Sequence, residues 1–396
     1  MLATEIKTTL GIGLVFAFRM LGLFMIFPVL SLYAEQYPDA SISLIGIALG
    51  CYGLFQAILQ LPMAALSDRF GRKPLILVGL LLFALGGIVA ALSTTLWGVV
   101  IGRAIQGSGA IGATLLALAA DSTRDVVRTR VMAIIGICIG GSFTLAMVFG
   151  PVIDAMLGLK GLFLVSALLA VVALVLVMRM PQNICPIETV KNQSFTPKVL
   201  WKAVQHQHLW RLYLSVFMLH ALLTMSFLVV PLKIQTIVGL SSEQSWQFYI
   251  PILLISLGCV MPFVRRGDDV SLQKQLFLFA VIGLLCVLPC WLWTGSKLFF
   301  MGFGVLFFVL FNYLEASMPA MVSKIAPAQR RGLIIGVYSS CQFLGLFVGG
   351  ALGGYFMERW GVAGIVGFSI VLLFFWLLSI LGLNFNHNEE LSWQEV

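Results

Sequence analysis

Twelve stretches of about twenty apolar residues occupy most of this chain, and no other feature restricts its fold as tightly. They fall at residues 10–33, 43–64, 75–92, 96–118, 131–153, 160–179, 209–231, 246–264, 275–294, 298–320, 332–355 and 362–384. A hydrocarbon layer about 30 Å thick takes roughly 20 residues of helix, and lipid offers the backbone no hydrogen-bond partners, so a spanning segment must satisfy its own. Strands of a membrane barrel would alternate polar and apolar residues in pieces of about ten, and these runs do not alternate. Composition agrees: 60% of the 396 residues are hydrophobic, 10% are charged, and the mean hydropathy is +1.03. The expectation is an all-α membrane protein with twelve transmembrane helices. The first run is longer than the apolar region of a signal peptide, has no small-x-small cleavage site and is followed by further runs, so it is expected to stay in the mature protein.

The net charge of +8 would suit a nucleic-acid binder only if the basic residues shared a wet face, whereas here they punctuate apolar segments. Nucleic acid is therefore excluded as a partner. The basic residues instead orient the chain. Eighteen of the 24 Lys and Arg residues, from Lys7 to Arg331, fall in loops on the side of the N-terminus, against Lys160, Lys233, Lys297 and Arg359 on the other side. Positive charge collects on the cytoplasmic face, which places both termini in the cytoplasm of a multi-pass protein of a bacterial inner or plasma membrane. Arg19 and Arg103 are left inside apolar runs.

The only long polar interval, 181–208, divides the chain into 1–180 and 209–396, each with six apolar runs. The second part ends in a short tail expected in the cytoplasm. The two parts echo one another: RVMAIIG at 130–136 resembles RRGLIIG at 330–336, and Gly150 has a counterpart in Gly350. Repetition at about half the chain length is the mark of a duplicated bundle, so two pseudo-symmetric six-helix bundles joined by a cytoplasmic linker are expected around a midplane cavity.

Between the second and third runs stands AALSDRFGRKPLIL, residues 64–77. It resembles the G-x-L-a-D-R-x-G-R-K-x-x-L signature of the major facilitator superfamily, with Ala64 in place of the leading glycine. RAIQGSG at 103–109 is similar to that family's R-x-x-Q-G-x-G motif, and AMVFGPVIDA at 146–155 keeps Gly150 and Pro151 of the antiporter-branch pattern G-x-x-x-G-P-x-x-G-G, with Asp154 where glycine is usual. RMLGLFMIFPV at 19–29, His220 and FNYLEA at 311–316 look closest to the YajR-type proton-driven branch, whose members carry a further soluble domain after the twelfth helix. This chain ends about a dozen residues past its last run, so regulation by such a domain is expected to be missing.

The resemblance implies alternating access, with the 64–77 turn as a gating latch. Physically, Gly71 lets the chain reverse in a short link, and Asp68 and Arg72 stand where each can meet a partner. An anion at Asp68 would be stabilised by the N-terminal end of another helix. The resemblance assigns that end to the eleventh helix near Gly332, pairs Arg72 with Asp121, and adds Lys73 to the latch. The alternative is a solvated positive-inside hairpin with no gating role.

Ionisable groups at membrane depth cost about 2.5 kcal/mol or more and invite a reason. Glu315, among apolar neighbours, is the candidate proton carrier, since desolvation favours its neutral form. His220 is a second titrating group, and the resemblance adds Arg103 to proton coupling. Each has a structural alternative, as a packed and hydrogen-bonded side chain. Arg19, Gln56, Gln60, Gln106, Asn312, Tyr313, Tyr338 and Gln342 are candidate cavity groups or, alternatively, interhelical hydrogen-bonders. Asp154 reads most simply as a solvated residue at the outer mouth.

Seven cysteines lack the company of a metal site, and no disulfide, metal or cofactor is expected. P-loop, H-E-x-x-H, G-x-S-x-G and dinucleotide fingerprints are absent, which leaves an enzyme or ATP-driven pump no residues to run on. The expected function is a monomeric secondary transporter, a proton antiporter exporting small amphipathic or drug-like molecules. Uptake of a metabolite or siderophore-like molecule by symport or uniport is the nearer alternative, and a non-transporting membrane sensor the other.

Overall fold

The computed structural model describes residues 2–33, 36–180, 197–206, 208–265, 270–326 and 330–381. Most of the expected linker, with Lys191 and Cys185, lies outside the described residues, as does the tail beyond 381. Every regular element among the described residues is helical. Ten helices are long and apolar enough to cross a membrane. In chain order they are α1 (Ala3–Phe24), α2 (Ile42–Phe70), α3 (Arg72–Leu92) and α4 (Leu96–Asp121), then the helix Asp125–Arg179, then α7 (Leu209–Lys233), α8 (Trp246–Arg265), α9 (Val270–Trp293), α10 (Lys297–Ile325) and the helix Arg331–Ile380.

Two of these are too long for one crossing. A straight helix of 55 residues would measure about 80 Å, far more than the membrane. Each long helix therefore breaks at a glycine with positive φ, Gly158 at 65° and Gly361 at 62°, in the left-handed region where a Cβ is disfavoured. The breaks divide them into α5 (125–157) and α6 (159–179), and into α11 (331–360) and α12 (362–380). Divided at these glycines, each long helix gives two arms among the described residues.

The structure corrects the predicted boundaries. Helices outrun the apolar stretches, with α5 starting at 125 rather than 131 and α10 ending at Ile325 rather than near 320, because helical hydrogen bonding continues into the polar margins. The run at 96–118 is not one unbroken helix: α4 is interrupted at 109–111, between Leu96–Ser108 and Gly112–Asp121. Within the expected linker, Pro197–Gln205 forms a short helix resting on α7 and the Arg331–Ile380 helix, with Ala203 buried.

The halves of the chain meet most extensively along α2 and α11. Lipid supplies little hydrophobic drive to bring helices together, so close backbone approach between small residues takes its place. A Cβ placed on Gly46 would lie 2.1 Å from the carbonyl oxygen of Gly350, and one on Gly350 would lie 2.3 Å from that of Gly46. The contact continues along both helices to Gly53 against Phe343. On its other side α11 packs on α7.

Loop groups satisfy the helix ends. Asp39, in the connection before α2, accepts hydrogen bonds from the backbone N–H groups of Leu96 and Trp97 at 2.8 and 3.1 Å, capping α4 from outside its own chain segment. These donors hold its carboxyl below the usual carboxylate range. A depressed pKa contributes stability that is fully present above the ordinary carboxylate value of about 4 and is lost as pH falls below it, through the lowered pKa of Asp39.

Two outcomes check this account by thermal unfolding of the detergent-solubilised protein. Gly350→Ala is expected to lower the unfolding temperature by several degrees through forced separation of α2 and α11. Gly136→Ala, whose added methyl meets open space, leaves it unchanged or slightly raised. Asp39→Asn should be less stable than the parent at pH 7, with the difference vanishing toward pH 3.

Candidate functional site

Among the described residues, α7, α10 and α11 bring three polar side chains together at membrane depth. His220 is buried midway along α7, and its Nδ1 lies 3.0 Å from the Val216 carbonyl oxygen one turn earlier. A carbonyl only accepts, so Nδ1 carries the hydrogen and the lone pair of Nε2 faces outward. That lone pair meets the Gln342 side-chain nitrogen at 2.8 Å, and the same nitrogen donates to Glu315 Oε1 at 3.2 Å. Glu315 Oε2 lies 3.6 Å from His220 Nε2 and accepts no hydrogen bond. The Glu315 side chain is 37% exposed, more open than the desolvated acid that its apolar neighbours in sequence predict.

One amide nitrogen bridges the imidazole and the carboxylate. With His220 neutral and Glu315 ionised, the two hydrogens of the Gln342 nitrogen serve both neighbours. A proton on His220 Nε2 sets donor against donor, and the amide must turn its oxygen to the imidazole, which withdraws its hydrogen from Glu315. A proton on Glu315 Oε2 instead gives the unpartnered oxygen a hydrogen to donate. Tyr338, one turn before Gln342 on α11, adds a buried hydroxyl without a partner.

Arg103, expected with this pair, lies elsewhere. Its three nitrogens donate to the carbonyl oxygens of Ala48 and Leu49 at 3.3 and 3.4 Å and to Gln106 Oε1 at 3.2 Å, while Gln106 donates to Ser166 at 3.2 Å. These bonds tie α4 to α2 and α6 inside the N-terminal half. Arg19 makes a second network, donating to Tyr52 at 2.6 Å and to Gln56, whose amide donates to Gln60 at 2.8 Å. The Tyr52 ring lies against both guanidinium groups, at 5.8 Å from Arg19 and 5.0 Å from Arg103. Arg19, Gln56, Gln60 and Gln106 are thus buried between helices of the N-terminal half, apart from the Glu315 cluster. Of the remaining predicted cavity groups, Asn312 donates to Ser256 at 3.0 Å and Tyr313 is buried, while Gln342 bonds the Glu315 cluster and Tyr338 lies one turn away.

The charged turn closes on its own half of the chain. Gly71 has φ 95°, and Arg72 bonds Asp121 at 3.1 Å, Ser67 at 2.7 Å and Asp68 across the turn. Lys73 donates to the carbonyl oxygens of Met178 and Met180, both at 2.9 Å, at the end of α6. The Arg72–Asp121 pair matches expectation. Asp68 pairs with Arg72, because the tight turn sets the two side by side.

Among the described residues, two hydrogen bonds between the halves are found at the opposite end. Asp154, far from being simply solvated, accepts from the Tyr33 hydroxyl at 2.5 Å and from Ser242 at 3.1 Å, and the Leu159 N–H beside the Gly158 break donates to the same Tyr33 oxygen at 3.1 Å. Glu358 on α11 accepts from the Ser43 N–H at the start of α2 at 2.8 Å. Near this end Gly150 and Pro151 admit the close approach of α1, a Cβ on Gly150 falling 2.4 Å from the Met25 carbonyl oxygen. Tyr33, Ser242 and Glu358 escape a sequence reading because none interrupts an apolar run. The acid at a usual glycine position, Asp154, was the available signal.

Residues 12–314 match the sequence profile of the Major Facilitator Superfamily. The chain belongs to that superfamily. It is 41% identical to the inner membrane transport protein YajR of Escherichia coli (strain K12), over 94% of this chain and 82% of that protein. It is 36% identical to the class H tetracycline resistance protein of Pasteurella multocida over 38% of each. Among solved structures, a bacterial homologue of the human lysosomal transporter Spinster, in an inward-facing and occupied conformation, has a TM-score of 0.78 over 96% of both chains at 11% identity. This superfamily member is a multi-pass membrane transporter and not an enzyme.

The two carboxylates at the shut end set up one check. Asp154→Ala should speed hydrogen–deuterium exchange several-fold in peptides covering 41–46 and 241–246, while Asp121→Asn leaves those peptides unchanged.

Proposed function

We propose that this transporter is a proton-coupled antiporter that exports small amphipathic molecules from the cytoplasm across the bacterial inner membrane, as a monomer with both termini cytoplasmic. The observation that carries the reading is the Glu315–His220–Gln342 cluster, an acid and an imidazole at membrane depth bridged by one amide. Residues 1–180 and 209–396 act as two lobes that rock about the α2–α11 contact. The mouth shut by Asp154 and Glu358 faces outward, and the 68–73 turn faces the cytoplasm, in keeping with the distribution of Lys and Arg.

Protonation of the cluster changes which lobe arrangement is favoured, and substrate competes with the proton for the protein. One proton moving down 100 mV supplies about 2.3 kcal/mol, enough for a modest gradient. Arg103 enters through packing, holding α4 to α2, and the bonds of Arg72 and Lys73 make the ends of α2, α3, α4 and α6 move as one body. The inner-membrane transport protein and the tetracycline resistance protein among its relatives are in keeping with this reading. Import is the second reading, favoured by Asp154 standing where the antiporter pattern has glycine. The direction of counterflow in oriented vesicles separates the two.

A panel of amphipathic compounds tested for pH-gradient-driven flux in proteoliposomes checks the proposal. Glu315→Gln is expected to reduce coupled flux at least about tenfold, the consequence of removing the titrating group; normal rates in that variant would take Glu315 out of the role.

A further inference from the structure

Arg19 sits midway along the first membrane span with its side chain 1% exposed, yet its guanidinium is only partly matched. One terminal nitrogen donates to Tyr52 and Gln56, while Nε and Nη1 have no hydrogen-bond partner. No described carboxylate pairs with it, and the second buried guanidinium, Arg103, shares the Tyr52 ring, so positive charge accumulates here without a counter-ion. A buried cation lacking both an anion and full hydrogen bonding is strongly unfavourable, and a bound anion relieves both deficits at once.

One of the unmet donors, Nη1, lies beside Gly112: a Cβ on Gly112 would be 3.7 Å from Arg19 Nη1, 3.8 Å from Gln56 Nε2 and 3.6 Å from Gln60 Oε1, all ordinary contacts. Gly112 is also the first residue of the ten-residue helical piece Gly112–Asp121, whose start has no side-chain cap. The free N–H groups of a helix start and a guanidinium together attract a negative group through charge and hydrogen bonds. The interruption of α4 therefore has a reason: it directs a helix start toward the membrane interior, next to Arg19.

We propose that Arg19 and the break in α4 at Gly112 anchor a carboxylate, sulfonate or phosphate group on an otherwise apolar organic substrate. The inference rests on the transport reading above and narrows its substrates to amphipathic anions. Gln56 turns a neutral amide nitrogen to the same side, while Gln60 presents the oxygen that accepts from it, so the anion is directed to Arg19 and the helix start, and the apolar remainder of the substrate needs only the Phe-, Met- and Leu-rich surroundings.

Binding is read without any gradient, by titrating the purified full-length protein in detergent and following its unfolding temperature. The probes are benzenesulfonate, benzoate, neutral benzamide and inorganic phosphate. Benzenesulfonate and benzoate are expected to stabilise the protein and benzamide to leave it unmoved. Arg19→Gln is expected to weaken benzenesulfonate about tenfold or more, the value of a charged hydrogen bond. Gly112→Ala keeps the arginine, and its methyl makes only ordinary contacts, so the protein folds while benzenesulfonate weakens through the occupied space. Equal stabilisation by benzamide, unchanged benzenesulfonate affinity in both variants, or phosphate matching benzenesulfonate would each overturn the assignment. Proton coupling plays no part in these titrations, so a failure of the antiport reading shows in the Glu315→Gln flux alone.

Discussion

Lipid hydrogen-bonds nothing, and every other feature of this protein answers to that fact. Backbone groups must be satisfied within each segment, hence helical spans and no strand among the described residues. Side-chain polar groups at membrane depth must find partners inside the protein. The result is a small number of concentrated networks: Arg103 against two carbonyl oxygens and Gln106, Arg19 against Tyr52 and Gln56, and Gln342 between His220 and Glu315. Among the groups left incomplete, two nitrogens of Arg19 and one oxygen of Glu315 belong to ionisable side chains in these networks and stand out as places where something else can act.

Those incomplete groups fall in different halves of the chain. The N-terminal half holds two buried guanidinium groups without a paired acid, and the C-terminal half holds an acid beside an imidazole. Between them runs the α2–α11 seam, where backbone meets backbone at Gly46 and Gly350. Such a seam of small residues permits close packing while making few directional bonds, which suits an axis about which two bodies turn. Directional bonds between the halves gather instead at the end marked by Asp154 and Glu358, each accepting from a serine of the other half.

Much of the fold was legible because apolar length is a direct physical requirement of the membrane. The duplication was visible in RVMAIIG and RRGLIIG, and the Arg72–Asp121 pair follows the superfamily signature. Less was legible of the site. Glu315 and His220 stand out as ionisable residues in apolar runs, but nothing in the sequence says that Gln342 bridges them or that Arg103 faces another way. Asp68 illustrates the limit: the geometry of a tight turn at Gly71 sets it beside Arg72, a pairing within one turn that the sequence alone does not show.

The sequence by itself determined that this chain crosses a membrane many times, that it belongs with a transporter family, and which few polar residues lie at depth, because burying each of those groups in lipid is unfavourable enough to be conspicuous. Only the tertiary structure decided which of them meet. A helix presents a new direction at every residue, so a register difference of one position on α4, α7 or α11 redirects a side chain by about 100°. Whether a buried arginine finds a carbonyl, an amide or nothing at all therefore depends on how the helices rotate against one another, and that rotation is set by packing across the whole bundle.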